Sequence, residues 1–447
     1  MIRKLIVANR GEVASRVIRT ARRLGIWTIA VHSEADVRAL HVTEADEGVP
    51  IGPAAARDSY LKIEHILSAA ERTGADAIHP GYGFLSESAE FARRCREAGL
   101  LFVGPPTDAI EAMGSKVAAR RTAEAAGVPL IPGTGPLASF SEAEAAATDL
   151  GYPVVLKASA GGGGIGMQRV NNAKQLGKHF DAARDKSERY FGNSTVYLEK
   201  WLEQPRHVEV QIAADAGGRA IHLGERDCSV QRRNQKVIEE TPSPIIDAAL
   251  RAEMTEAATG LAQQVGYSSL GTVEMLVSKG RFYFLEMNTR LQVEHTVTEM
   301  VTGLDLVEWQ LRLAMDEDLP AQRSDVQFNG HSIQCRIYAE QPDKGFLPSP
   351  GQITRFEVPQ GEWIRNDVGV RDGDYVSPYY DPLIAKLVVH GPDRPAALER
   401  MRAALEDYRV EGVTTNLPLL RQVLGDEAFA SGVYDTGFLR ERLGYKA

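Results

Sequence analysis

Residues 157–166 read Lys-Ala-Ser-Ala-Gly-Gly-Gly-Gly-Ile-Gly. The apolar run Pro153 to Ala158 predicts a strand that feeds four consecutive glycines, whose backbone amides can approach a polyphosphate without side-chain obstruction. Lys157 adds a point charge for a phosphate. The spacing does not fit the G-x-x-x-x-G-K-[ST] loop, in which the lysine follows the glycines and opens a helix. A flexible surface hairpin explains an isolated glycine run as well, so the surrounding sequence has to decide. The segment from about Leu130 to Leu202 is small and closes with a second strand ending Val196-Tyr197-Leu198-Glu199. It reads as a mobile lid, entered through a hinge at Gly127-Val128-Pro129 and Pro132-Gly133-Thr134-Gly135.

On the amino-terminal side the chain alternates short apolar runs with helical periodicity. Strands are predicted at Leu5 to Ala8, Trp27 to Val31 and Ala75 to His79, and helices at about Glu12 to Leu24, Ile63 to Arg72 and Glu87 to Glu97. That order implies βαβ units and a parallel sheet. Asn9-Arg10-Gly11 occupies the first strand-to-helix turn but supplies one glycine of a dinucleotide fingerprint, which excludes NAD binding there. On the carboxyl side, Val-, Ile- and Phe-rich runs at His207 to Ala213, Gly271 to Val277, Phe282 to Met287 and Ile333 to Ala339 mix with helices near Leu250 to Val265, Ala396 to Leu405 and Leu417 to Leu424. This part is α+β. A net charge of −9 disfavours nucleic acid or an anionic membrane as partner. The three cysteines, Cys95, Cys228 and Cys335, have no metal-site or disulfide spacing and fit free thiols in a reducing cytoplasm. No run approaches the length of a membrane span.

Glu274 and Glu286 lie in apolar runs joined by a Lys279-Gly280 turn, which predicts a hairpin. With Asn288 they can share Mg²⁺, a hard cation that prefers oxygen ligands and bridges phosphates; structural ion pairing is the alternative. Asn288, Arg290, Gln292 and Glu294 occupy alternate positions, so an extended segment presents four polar functions on one face, a fork for a small oxyanion beside a carboxylate base. A solvated edge strand produces the same alternation. Gln231-Arg232-Arg233-Asn234-Gln235-Lys236 is a donor cluster able to face phosphate or bicarbonate, although such a hexamer is commonly just solvated surface. Arg336 is a charged residue inside an apolar strand, a setting in which structural ion pairs are common.

Ile6-Val7-Ala8-Asn9-Arg10-Gly11-Glu12, His79 to Glu87, the Lys157 glycine loop, Glu225 to Ser229 and Glu286 to His295 jointly resemble the biotin carboxylase family, across essentially the whole chain. The resemblance implies an α/β domain over 1–112, an ATP-grasp domain over 113–330 with its lid at about 130–202, and a carboxy-terminal domain over 331–447. It implies ATP contacts at Lys116, Lys157, Gly161, Gly162, Gly163, Gly164, Gly166, Glu199, Lys200, Leu202, His207, Gln231, Asn234 and Glu274, with the backbone at Lys200 and Leu202 reading adenine. A metal shell of Glu274, Glu286 and Asn288 for Mg²⁺ or Mn²⁺ follows. So do a bicarbonate site of Lys236, Arg290, Gln292 and the Val293 backbone, a base at Glu294, and a biotin contact at Arg336.

The implied chemistry begins when Glu294 deprotonates bicarbonate, which attacks the γ-phosphate of ATP to give carboxyphosphate and ADP. Carboxyphosphate yields CO₂ and phosphate, the phosphate takes the ureido N1′ proton of biotin, and Arg336 stabilises the enolate-like oxygen. Asn234 stands where many family members have histidine, and together with Ala158 to Met167 and Ser377 to Pro382 it looks closer to the urea carboxylase branch. With no Met-Lys-Met segment, the expectation is biotin on a separate carrier protein, a carboxyltransferase partner and a homodimer. Two other readings stand beside this one: an ATP-grasp ligase joining a carboxylate to an amine, and a silent ATP-binding scaffold. Against the scaffold stands the joint presence of Glu294, Arg290, Lys236 and Arg336.

Overall fold

In the computed structural model, residues 1–158, 168–191 and 195–445 are described. The first apolar runs form a five-stranded parallel sheet in the order β3-β2-β1-β4-β5, made of β1 (Lys4–Val7), β2 (Trp27–His32), β3 (Glu47–Pro50), β4 (Ala77–His79) and β5 (Leu101–Phe102). Helix α1 (Gly11–Arg23) packs Val17, Ile18 and Ala21 against Leu5 and Val7 of β1 in one core. Because β1 and β4 are adjacent and parallel, the segments after both open at the same edge of the sheet, where open α/β sheets bind ligands. Asn9 ties them together, its side-chain amide donating to the carbonyls of Pro80 (2.7 Å) and Tyr82 (2.8 Å). Gly81 makes that approach possible: its φ is +63°, and a Cβ there would meet the Asn9 amide nitrogen at 2.9 Å.

The segment expected to form a lid holds a three-stranded antiparallel sheet, order β7-β6-β8, from β6 (Val154–Ala158), β7 (Gln168–Val170) and β8 (Val196–Lys200). It has its own small core, with Val154, Leu156, Leu198 and Phe180 buried together. The rest is organised by an eight-stranded antiparallel sheet. Its strands are β9 (Arg206–Ala214), β10 (Ala220–Arg232), β11 (Gln235–Thr241), β12 (Ser269–Ser278), β13 (Arg281–Asn288), β14 (His331–Tyr338), β15 (Ile364–Val368) and β16 (Leu383–Gly391). The order is β13-β12-β9-β10-β11-β14-β16-β15. The β11–β14 ladder, Ile238 opposite Cys335, carries the sheet across position 330, so the units on either side share one set of backbone hydrogen bonds.

The Lys279-Gly280 hairpin forms as expected, with both residues at positive φ and Glu274 directly opposite Glu286. The segment after it departs from expectation. β13 ends at Asn288, residues 289–294 make a turn, and a helix begins at His295. The alternation of Asn288, Arg290, Gln292 and Glu294 is therefore not that of a strand; the chain curls, and its side chains turn toward one another. All three cysteines are buried and free of disulfides. Among the described residues no helix is long and apolar enough to cross a membrane.

Candidate active site

Strand register builds the floor of the site. Glu286 on β13, Glu274 on β12, Glu209 on β9 and Arg226 on β10 stand opposite one another in successive ladders, a charged row across the sheet. Lys236, at the start of β11, reaches into this row. Its Nζ donates to Glu209 Oε2 (2.6 Å), Glu274 Oε1 (2.7 Å) and Glu294 Oε1 (2.6 Å). Arg336 on β14 donates through Nε to Glu239 Oε1 (2.5 Å) and through its other nitrogen to Glu294 Oε2 (3.0 Å). Glu294 is thus clamped by one oxygen to each cation. Fully buried Arg226 is satisfied by Glu209, Gln211, Thr272 and Thr298. Arg336, the charged residue within an apolar strand, is doubly ion-paired, because β11 and the 289–294 turn bring carboxylates to it.

These contacts set the charge states. Burial opposes ionisation of Glu294, but Lys236, Arg336 and Arg226 outweigh it and hold its carboxyl well below the usual range. Burial likewise opposes the charge on Lys236, and Glu209, Glu274 and Glu294 overcome it, keeping the amine protonated. Glu274 is held low by Lys236 and His207 despite its burial; His207 Nε2 sits 2.9 Å from its second oxygen. Glu286 differs: burial and the facing Glu274 push its pKa up, and among the described residues it makes no hydrogen bond or ion pair. Five carboxylates (Glu209, Glu239, Glu274, Glu286, Glu294) face four permanent cations (Arg226, Lys236, Arg290, Arg336), of which Arg290 is also paired with Glu87. A divalent cation held by Glu274 and Glu286 would relieve that excess, and an all-oxygen carboxylate pair would suit Mg²⁺ or Mn²⁺. Asn288 contributes less directly, donating its amide to Glu274 (2.8 Å) while its oxygen accepts from Arg290 (3.0 Å).

Arg290 is oriented from three sides: Glu87 Oε2 (2.9 Å), Gln292 Oε1 (3.1 Å) and Asn288. Glu87 also accepts from the Thr289 amide, so the first domain fixes the turn. The Val293 carbonyl accepts from Lys386 Nζ at 3.2 Å.

Two cavities flank this cluster. The larger, about 880 Å³, is lined by Lys157, Glu199, Lys200, Leu202, Gln231 and Asn234, six of the expected nucleotide contacts, with Leu276 and Trp201 supplying apolar wall. Lys157 and Arg120 both pair with Glu199, and the Lys200 amide is engaged within the chain, donating to the Pro132 carbonyl (2.8 Å). His207 and Glu274 lie deeper, in the carboxylate row. Lys116 stands exposed at the start of its helix (Lys116–Ala125) and acts electrostatically on Glu286. Gly161, Gly162, Gly163, Gly164 and Gly166 lie outside the described residues. The smaller cavity, about 290 Å³, is lined by Arg336, Val293, Tyr82, Gln235 and Tyr338.

The basic hexamer does not present one face. Gln231 and Lys236 are buried, Arg232 pairs with Glu340, and Arg233 and Asn234 form the turn between β10 and β11. Sequence reasoning assigned no role to Glu87, Tyr82, Glu209, Arg226, Glu239 or Lys386. Glu87, Tyr82 and Arg226 sit inside stretches already singled out, Glu209 and Lys386 interrupt apolar strands, the signal that drew attention to Arg336, and Glu239, in the polar strand Gln235–Thr241, carries no such signal.

Family models match almost end to end: the biotin carboxylase N-terminal domain over residues 1–110, the carbamoyl-phosphate synthase L chain ATP-binding domain over 115–322, and the biotin carboxylase C-terminal domain over 334–441. A biotin carboxylase of Halalkalibacterium halodurans is 52% identical over 448 residues, covering 100% of this chain and 99% of the relative. Biotin carboxylase 2 of Bacillus subtilis is 52% identical, covering 99% of this chain and 100% of the relative. Among solved structures, the biotin carboxylase domain dimer of the Hydrogenobacter thermophilus 2-oxoglutarate carboxylase, in complex with MgADP, ADP and bicarbonate, superposes with a TM-score of 0.93 at 46% identity, covering 100% of this chain and 99% of that one.

Proposed function

The chain belongs to the biotin carboxylase family, and from that premise we propose that it carries out the ATP- and bicarbonate-dependent carboxylation of biotin held on a carrier protein, through carboxyphosphate. The observation that carries the reading is Glu294, an ionised carboxylate gripped between Lys236, which faces the metal acids, and Arg336, which lines the smaller cavity.

In this reading the larger cavity takes ATP through Lys157, Glu199, Lys200, Leu202, Gln231 and Asn234, with Lys116, His207 and the Gly161 to Gly166 loop at the phosphates. Glu274 and Glu286, with Asn288 beside them, hold Mg²⁺ or Mn²⁺, which when bound neutralises phosphate charge. Arg290, Gln292, the Val293 backbone and Lys236 hold bicarbonate. An anion that draws donors away from Glu294 loosens its clamp and raises its basicity, so substrate binding itself arms the base. Glu294 then takes the bicarbonate proton, and Lys236 and Arg290 stabilise charge on the attacking oxygens. The smaller cavity admits the ureido ring of biotin. Carboxyphosphate breaks down to CO₂ and phosphate, the phosphate takes the N1′ proton, Arg336 stabilises the negative oxygen left behind, and N1′ attacks the CO₂ to give carboxybiotin. Carboxybiotin then passes to a carboxyltransferase partner that selects the final acceptor. The chain works as a homodimer in the cytoplasm.

The test is ADP release with Mg²⁺ and ATP under three conditions: no addition, bicarbonate, and bicarbonate plus free biotin. Stimulation by both together is expected. Turnover driven by an unrelated carboxylate and amine, indifferent to biotin, would identify another ATP-grasp ligase instead.

A further inference from the structure

The two cavities are separated by a single hairpin. Arg232 on β10 pairs with Gln235 on β11, and the two residues between them, Arg233 and Asn234, both have positive φ, +46° and +65°, the conformation of a tight two-residue turn. Gln231 and Asn234 line the larger cavity, and Gln235, the next residue, lines the smaller one. Lys236, one further on, is the amine that binds Glu209, Glu274 and Glu294. Four positions within six residues therefore serve three parts of one reaction, and any shift of the hairpin moves them together.

What fixes the hairpin is anchored behind the cavity walls: Arg232 and Phe346 line the larger cavity and Tyr338 the smaller, but the carboxylate that holds Arg232 does not. Arg232 is ion-paired with Glu340, whose side chain has no exposed surface, and its guanidinium stacks 4.5 Å from the Phe346 ring centre. Gln235 donates to the Tyr338 hydroxyl at 3.1 Å. Glu340 lines neither cavity, and nothing in the reaction as derived above uses it. A buried ion pair holding a hairpin at that point costs desolvation of both charges, a cost that makes sense if position matters more than stability there.

We propose that this hairpin is a coupling partition: occupancy of the smaller cavity, felt through Gln235, sets the placement of Gln231, Asn234 and Lys236 on the nucleotide side, and Arg232, clamped by Glu340, is the positioning residue that makes the transmission rigid. The inference rests on the functional reading above, with ATP in the larger cavity and the ureido ring in the smaller. Coupling of this kind needs a contiguous mechanical element that both sites bias, and the hairpin is one. Displacements of about 1 Å at catalytic groups cost on the order of 10²-fold in rate, so a loosened partition shows in kinetics well before it shows in folding.

The experiment uses the full chain and Glu340→Gln, which removes the clamp's negative charge while leaving every cavity-lining residue in place. Bicarbonate-dependent ADP release is measured with and without saturating free biotin across an ATP titration, with thermal unfolding as control. Glu340→Gln is expected to lose about tenfold or more of the stimulation by biotin and to raise KM for ATP, while biotin-independent turnover at saturating ATP stays close to the parent's. Glu340→Asp, which keeps the charge, is expected to recover part of the stimulation, and it carries the test if the glutamine variant fails to fold. Parent-like stimulation in a folded Glu340→Gln, or an equal loss with and without biotin, would overturn the partition. A parent that ignores biotin would instead overturn the functional reading beneath it.

Discussion

Replacing Arg336 by methionine separates what that residue does for the fold from what it does for the reaction. The substitution keeps much of the stem's volume and removes the guanidinium that binds Glu239 at 2.5 Å and Glu294 at 3.0 Å. Removing one partner of a buried ion pair costs about 3–5 kcal/mol, because the remaining charge has neither water nor a counter-ion. Glu294 keeps Lys236, so most of the loss falls on Glu239, which retains only the Gln334 amide at 2.9 Å. Burial already pushes the Glu239 pKa up, so proton uptake relieves part of the penalty, and the expected loss is at the lower end, about 3 kcal/mol by urea denaturation at neutral pH. Adding Glu239→Gln removes the stranded charge and should restore most of that stability. It should not restore biotin carboxylation, since the guanidinium that lines the smaller cavity beside Val293 and Gln235 is gone, whereas bicarbonate-dependent ADP release should survive better than carboxylation. A cost under about 1 kcal/mol for Arg336→Met would refute the energetic argument. Recovery of carboxylation in the double variant would show that the arginine acts only through the fold.

Glu294→Gln should keep ATP binding, read by equilibrium titration, and lose bicarbonate-dependent ADP release by about 10²–10⁴-fold, the usual contribution of a general base; loss of ATP binding would sink that assignment. Glu286→Gln should raise the unfolding temperature of the metal-free protein, by removing a half-buried carboxylate that faces Glu274, and should shrink the further rise produced by Mg²⁺; no change in either would remove Glu286 from the metal shell. Burial pushes His41 and His79 down to about 4 and His295 to about 3, from 6.5. Their folded pKa values are depressed, so their contribution is complete above pH 6.5 and is lost as pH falls toward 4, where the unfolded chain binds protons that the native state refuses. Each is worth about 3 kcal/mol or more over the full window. Urea denaturation across that range should show a steep fall, shallower in His41→Gln, and a flat profile would show that these rings are not neutral in the native protein.

Local pattern carried much of this protein. Strand and helix positions followed from periodicity, the Lys279-Gly280 hairpin from its turn residues, and the opposition of Glu274 to Glu286 from that hairpin, because contacts between near neighbours are encoded by near neighbours. Lys157 with its glycine run, the donor cluster around Asn234 and the groups around Glu294 stood out as residue types that suit phosphate and bicarbonate, and the structure places Lys157 and Asn234 on one cavity. The partners that give those groups their chemistry were not. Lys236 meets carboxylates 27, 38 and 58 positions away, and Arg290 is oriented by Glu87, 203 positions away. The alternation of Asn288, Arg290, Gln292 and Glu294 was visible but its conformation was misread: a strand and a curled turn can carry the same sequence, and packing against Glu87 and Lys386 selects the turn. An ion pair at Arg336 was expected, but its partners were not legible, since Glu239 and Glu294 reach it only once β11 pairs with β14 and the turn folds over. Ionisation states are more remote still. Whether Glu294 is a charged base and Glu286 a carboxylate waiting for a cation depends on how much water is excluded and which charges remain within a few ångströms, quantities that exist only after the sheet has closed.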